Sequence, residues 1–278
     1  MSGFIKRVLT AIVFVLVMVG GVYLHPYSLI SLFGLITALS IWEYLNLTLP
    51  TSQKSKNNAR KFIGLVIGLL PYAIVASYQV LNWEAETLYS AILAFIPILF
   101  LTFIYELFTN SEKPFSNIGI LLLGVIYIGI PFALLLFIAF FRGQFSPNIV
   151  MGLLLLTWLN DTGAYLIGSQ IGKNKLFPRI SPGKTWEGSI GGAFVTFGVA
   201  WLLSLFLTDL PLVHWLFLAG IVAVFGSLGD LVESMLKRSL QIKDSGNLLP
   251  GHGGMLDRFD AFLFLLPFVA AYLLLVVR

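Results

Sequence analysis

Cysteine is absent from this chain of 278 residues. That excludes disulfides, cysteine-ligated zinc and thiol nucleophiles, and it leaves the redox compartment unread. Charge is scarce as well. Only 11% of the residues are Asp, Glu, Lys or Arg, against roughly 25% in a soluble domain. A chain that is 58% hydrophobic, with a mean hydropathy of +0.93, cannot cover itself with polar surface. Its solvent is therefore lipid. No internal repeat or low-complexity tract stands out, and nucleic acid is not an expected partner. The length would permit two soluble domains, but apolar runs in succession point to one membrane-embedded domain, 1–278.

What the chain has in abundance is hydrophobic run. A spanning helix needs about 20 mostly apolar residues. Candidates are Val8–Leu24, Tyr27–Leu49, Phe62–Leu81, Leu88–Phe108, Ile118–Phe141, Pro147–Ile171, Gly188–Thr208, Leu212–Leu236 and Phe259–Val277. The expected fold class is all-α, a polytopic helical bundle of about nine spans. Lys6 and Arg7 before the first run could open a secretory signal, but no small-x-small cleavage site follows Tyr23-Leu24-His25-Pro26. The first run is expected to be a retained helix.

The basic residues sort by side. Lys6, Arg7, Lys54, Lys56, Arg60, Lys61, Lys113, Lys173, Lys175, Arg179, Lys184, Lys237, Arg238, Lys243 and Arg258 fall on one side of this topology. Arg142 and Arg278 fall on the other. Fifteen against two, out of 17 in all, makes the N-terminus and the polar loops cytoplasmic and puts the C-terminus outside. The segment Lys54–Lys61 is expected to be an ordinary surface loop near anionic headgroups. The absence of a transit peptide suggests a bacterial plasma membrane.

Few polar residues lie inside the spans. Asn160 and Asp161 sit well within the sixth. An aspartate near a helix centre costs roughly 2.5–3.5 kcal/mol on insertion scales, so it should face the bundle interior or a wet cavity. Helix-gluing hydrogen bonds are the alternative reading of this pair. Asp230, Glu233, Ser234 and Lys237 follow at spacings that make one stripe on a helix. Asp257 and Asp260, three apart at the start of the ninth span, share a face; simple capping would account for Asp257 alone. Glu43 and Glu106 lie near the cytoplasmic ends of their spans, where snorkelling or a local pair is expected.

The polar mass gathers in two loops, Gly172–Glu187 and Lys237–Asp257. In the second, Gly251, Gly253 and Gly254 flank His252. Glycines let backbone N–H groups approach an anion closely and allow positive φ. Lys237, Arg238, Lys243 and Arg258 add donors suited to phosphate oxygens. Asp230, Asp244, Asp257 and Asp260 add hard oxygen ligands. Acidic and basic groups together suggest phosphate plus a divalent cation, and Mg2+ takes one or two carboxylates with waters and substrate phosphates. His252 fits two roles, a general base or a group that orients a ligand or a carboxylate. In the first loop, Gly183-Lys184-Thr185 resembles the end of a P-loop, but the leading glycine is replaced by Pro178. Ser181 as helix cap with Pro182 at the first helical position is the expectation there, with Lys184 near a helix N-terminus that suits anions. Gly188 and Gly192 make a small-xxx-small pair for close helix packing.

The stretch Ser234-x-Leu236-Lys237-Arg238-x4-Lys243-Asp244-x-Gly246-x2-Leu249-Pro250-x-His252-Gly253-Gly254-Met255-x-Asp257-Arg258-Phe259-Asp260 resembles, without a gap, the signature of the phosphatidate cytidylyltransferases (CDP-diacylglycerol synthases). Trp158–Gly172 and Ser181–Glu187 are also similar to that family's pattern, while the first five spans carry little distinctive sequence. The resemblance implies an integral membrane enzyme of phospholipid biosynthesis. Such an enzyme converts CTP and phosphatidic acid into CDP-diacylglycerol and pyrophosphate. It further implies Mg2+ with a second cation such as K+, metal held at Asp230 and Asp257, Asp161 in the same polar cavity, and a homodimer. Asp244 and Asp260 are further metal candidates. Asp230, Asp257, Lys237 and Arg258 are the expected catalytic group. Asn160, Ser181, Lys184, Glu187, Arg238, Lys243, His252, Gly253 and Gly254 are the expected substrate contacts. On this reading residues 147–278 carry the site, and the spans in 1–141 support it or form the dimer.

A transporter of a phosphorylated metabolite is the competing class, since it too keeps charges in a cavity. Such proteins usually show paired halves with broken helices at matching places. Here the polar positions crowd into 157–260, with no earlier counterpart. A CDP-alcohol transferase would need a D-x-x-D-G-x-x-A-R pattern, which is not present.

Overall fold

The computed structural model describes residues 3–49, 54–246, 248 and 253–277. Among the described residues, eight helical stretches are long and apolar enough to cross a membrane, and Val8–Tyr23 adds a shorter apolar one. The fold is that of a polytopic membrane protein, almost entirely helical. The exception is a two-stranded antiparallel hairpin. The chain divides into two compact units, Met1–Phe137 with Asp244–Arg258, and Ile138–Lys243 with Phe259–Arg278.

The first unit holds α1 (Gly3–Tyr23), α2 (Pro26–Thr48), α3 (Lys54–Leu81), α4 (Ala85–Phe108) and α5 (Pro114–Gly124). A π-helical turn, Val125–Gly129, leads into α6 (Ile130–Ala139). Pro26 opens α2, where a missing N–H costs nothing. His25 caps it through Nδ1, which accepts the Tyr27 N–H at 3.2 Å. Leu29, Phe33, Ile41 and Leu45 of α2 are fully buried. Phe33 packs at a tilt on Phe132, with ring centroids 6.0 Å apart. Gly64 of α3 admits Leu45 and Leu121, since a Cβ there would lie 2.8 Å from each.

Lys54–Lys61 and Glu106 depart from expectation in this unit. Lys54–Lys61 is the start of α3 and not a loop. Asn57 and Arg60 face inward and are 3% and 1% exposed. Glu106 is neither snorkelling nor paired locally. It meets Arg60, 46 positions earlier, with Nε donating to Oε1 at 2.5 Å and Nη2 to Oε2 at 3.0 Å. Asn57 accepts from Nη1 at 2.8 Å, and Asn117 donates to Oε2 at 3.2 Å. A charged pair tolerates burial when its remaining donors and acceptors are all satisfied, and this cluster meets that condition with neighbours from α3, α4 and α5.

The second unit holds α7 (Pro147–Ile171), β1 (Lys175–Phe177), β2 (Ser181–Thr185), α8 (Trp186–Phe206) and α9 (Leu212–Ile221). A π-helical turn, Val222–Gly226, joins α9 to α10 (Ser227–Ser239). The last helix is α11 (Leu256–Val276). α7 and α8 lie in close contact because small residues line the seam. A Cβ on Gly188 would lie 2.7 Å from the Ala164 carbonyl oxygen, and one on Gly192 would lie 2.8 Å from that of Asn160. The small-xxx-small reading of this pair therefore holds. Trp215 is fully buried over Gly152 and donates its indole N–H to the Leu207 carbonyl at 3.3 Å.

Candidate active site

The polar residues of the second unit converge on α10. Ser234 donates its hydroxyl to Oδ1 of Asp230 at 3.2 Å, one turn back. Lys237 pairs with Glu233, again one turn back, and Glu233 is wholly buried. The stripe expected from the spacing is present. Lys184 reaches it from β2, with Nζ 2.6 Å from Oδ2 of Asp230 and 3.2 Å from the carbonyl oxygen of Ser227. Asp260, partly buried on α11, feels the charges of Asp230, Asp161 and Lys237. Gly229 lets the two helices approach: a Cβ there would lie 2.9 Å from the Asp260 carbonyl oxygen.

The hairpin holds Lys184 in reach. Lys175 pairs with Thr185, and Phe177 with Ser181. Ser181 is thus a strand residue and not the helix cap expected for it. The cap of α8 is Thr185, whose hydroxyl oxygen accepts the Gly188 N–H at 3.1 Å. Glu187 in the first turn accepts the N–H groups of Lys173 and Asn174, both at 3.1 Å, and the Asn174 side-chain amide at 2.7 Å. Its carboxylate therefore fastens the start of the hairpin to α8. Arg238 donates to the carbonyl oxygens of Ile180 at 3.3 Å and Ile242 at 3.2 Å, which joins the hairpin to the end of α10. Lys243 is exposed. Asn160 is buried, and its Oδ1 accepts the Thr196 hydroxyl at 3.1 Å between α7 and α8. That is the helix-gluing geometry, whereas the adjacent Asp161 is exposed.

The first unit contains two further acidic candidates, Asp244 and Asp257. Asp257, in the first turn of α11, accepts through Oδ2 the N–H groups of Ser245 at 2.9 Å and Gly254 at 2.8 Å. Gly253 between them has φ +83, and a Cβ there would lie 2.6 Å from the same oxygen. Glycine is required at this position on both counts. Arg258 and Asp244 are exposed. His252 lies outside the described residues. Glu43, expected to snorkel or pair locally, instead accepts the Leu256 N–H at 2.9 Å. It was hard to find from sequence because its partner lies 213 positions away.

Among the described residues no three His, Asp or Glu side chains form a ready metal cage. Mg2+ does not need one, because it keeps several waters and binds through one or two carboxylates plus substrate phosphates. The candidate donors are hard carboxylate oxygens, and Asp230 and Asp260 bring like charges to the same part of the unit. Both features suit a hard divalent cation.

The model of the cytidylyltransferase family matches residues 5–276. The chain belongs to the cytidylyltransferase family. Among similar proteins, the phosphatidate cytidylyltransferase of Bacillus subtilis (strain 168) is 38% identical over 207 residues, 74% of this chain and 76% of that protein. The phosphatidate cytidylyltransferase of Staphylococcus aureus (strain COL) is 36% identical over 270 residues, 94% of this chain and 95% of that protein. That of Staphylococcus haemolyticus (strain JCSC1435) is 36% identical over 265 residues with the same coverage. The family match spans both compact units, from within α1 to the end of α11.

Proposed function

We propose that this chain transfers CMP from CTP to phosphatidic acid, giving CDP-diacylglycerol and pyrophosphate. A phosphate oxygen of the lipid attacks the α-phosphorus of CTP. The bond from that phosphorus to the bridging oxygen of the β-phosphate breaks, and pyrophosphate leaves with the electron pair. The nucleophile already carries negative charge, so no covalent enzyme intermediate is needed. What the protein supplies is alignment and charge neutralisation.

The observation that carries this reading is Lys184 on Asp230, an ammonium and a carboxylate facing each other on opposite elements. In such a pair Lys184 would hold a phosphate oxygen and Asp230 would hold the cation that accompanies the phosphate. Lys237, Arg238, Lys243 and Arg258 are assigned to phosphate oxygens. Asp230 and Asp257 are assigned to Mg2+, with Asp161, Asp244 and Asp260 as supporting carboxylates and a second cation such as K+ as a further occupant. Held there, Mg2+ would supply neutralisation of the charge on attacking and leaving oxygens. Asn160 and Glu187 act from behind, by holding α8 and the hairpin. A homodimer in a bacterial plasma membrane, with the polar loops facing the cytoplasm, completes the proposal.

The test is purified protein with labelled CTP, phosphatidic acid and Mg2+. A nucleotide-bearing lipid and pyrophosphate should form in equal amounts, and Asp257→Asn should abolish turnover while leaving the folded protein extractable. Wild-type turnover in that variant would remove Asp257 from the metal. Movement of substrate across vesicles with no nucleotide lipid would replace the reading with transport. Orientation is read with Lys113→Cys and Arg142→Cys, each the single thiol of a chain without cysteine. An impermeant reagent added outside cells should label the second and not the first.

A further inference from the structure

Two carboxylates from distant parts of the sequence share one short piece of backbone in the first unit. Asp257 accepts the N–H groups of Ser245 and Gly254. Glu43, on α2, accepts the N–H of Leu256 at 2.9 Å and the hydroxyl of Ser245 at 3.5 Å. Ser245 therefore gives its backbone to one acid and its side chain to the other. A Cβ on Gly246 would lie 2.7 Å from Oε1 of Glu43, and one on Gly254 would lie 2.6 Å from Oε2. Both glycines leave room for this one carboxylate. Glu43 thus holds the incoming segment at Ser245 and the outgoing segment at Leu256, and so joins the two.

We infer that Glu43 is a positioning residue for Asp257, an inference that rests on Asp257 holding the metal. With Oδ2 of Asp257 taken up by two backbone donors, the orientation of its carboxylate follows the positions of Ser245 and Gly254. Those positions follow Glu43. Outer groups that orient a ligating carboxylate typically change metal affinity or activity by about 10–100-fold when removed. The anchoring also explains a carboxylate in an otherwise apolar helix, where Asp and Glu are costly. Gln in its place would keep one acceptor oxygen for Leu256.

The experiment is Mn2+ binding to full-length protein in detergent, followed by electron paramagnetic resonance, with hydrogen exchange of the 245–257 region measured alongside. Glu43→Ala should weaken Mn2+ binding by roughly 10-fold or more and speed exchange at Ser245, Gly254 and Leu256. Glu43→Gln should recover most of both. Tyr72→Phe removes a buried hydroxyl that donates to the Ile30 carbonyl at 2.6 Å in the same unit. It controls for general loosening and should leave Mn2+ affinity unchanged. Wild-type Mn2+ affinity in folded Glu43→Ala overturns the inference, as does equal weakening by Tyr72→Phe. If the wild type binds no Mn2+, the metal assignment of Asp257 fails instead. The exchange data then still decide whether Glu43 holds the two segments, and unchanged exchange in Glu43→Ala overturns that.

Discussion

Arg60 and Glu106 face each other side-on inside the first unit, with Nε 2.5 Å from Oε1 and both side chains no more than 2% exposed. Asn57, Thr109 and Asn117 each hydrogen-bond to one of them. Removing one partner of a buried pair leaves an uncompensated charge, at a cost of about 3–5 kcal/mol. Arg60→Ala and Glu106→Ala should each lower the thermal midpoint in detergent sharply and reduce the amount of folded protein extracted. Arg60→Lys should rescue little, because an ammonium cannot engage both carboxylate oxygens and Asn57 in one plane.

Lys184 and Asp230 make a different prediction, because their pair is only half-buried. Lys184→Ala should change stability little and lower turnover by roughly 10²-fold, the scale for loss of one charge-stabilising donor. Steady-state kinetics on variants with matched thermal midpoints checks this.

Gly253→Ala should hurt the site more than the fold. A left-handed φ costs a non-glycine residue roughly 1–3 kcal/mol, and the added methyl would press on Asp257. Reduced turnover and weaker Mg2+ dependence are expected, with the Arg60 cluster unaffected. Titration of activity against Mg2+ measures the effect.

Gly192→Leu should separate α7 from α8. The obstacle is the Asn160 carbonyl oxygen, a backbone atom that cannot rotate away. Overpacking typically costs 1–3 kcal/mol, and here it should also break the Asn160–Thr196 hydrogen bond. Thr196→Val breaks that bond alone, so comparing the two thermal midpoints separates packing from bonding.

Chelation gives a reversible test. Excess EDTA should stop nucleotide-lipid formation without unfolding the helices, and Mg2+ should restore it. Circular dichroism beside the activity assay distinguishes this from loss of structure.

The spans, the close α7–α8 seam and the α10 stripe were legible in the sequence because each depends on local composition or on spacing within one helix. The family was legible because its signature is contiguous. The pairing of Arg60 with Glu106, the reach of Lys184 to Asp230 and the grip of Glu43 on Leu256 were not. Their partners lie 46, 46 and 213 positions apart, and only packing brings them together. The hairpin in Ser181–Thr185 also escaped, since Ser-Pro is as good a helix start as a strand, and what decided it was pairing with Lys175–Phe177. Composition and period thus determined that this chain is built of helices long and apolar enough to cross a membrane, and where along the sequence they lie. Tertiary structure alone decided which charges neutralise one another, because in an apolar solvent a charge must find its partner wherever the fold delivers it.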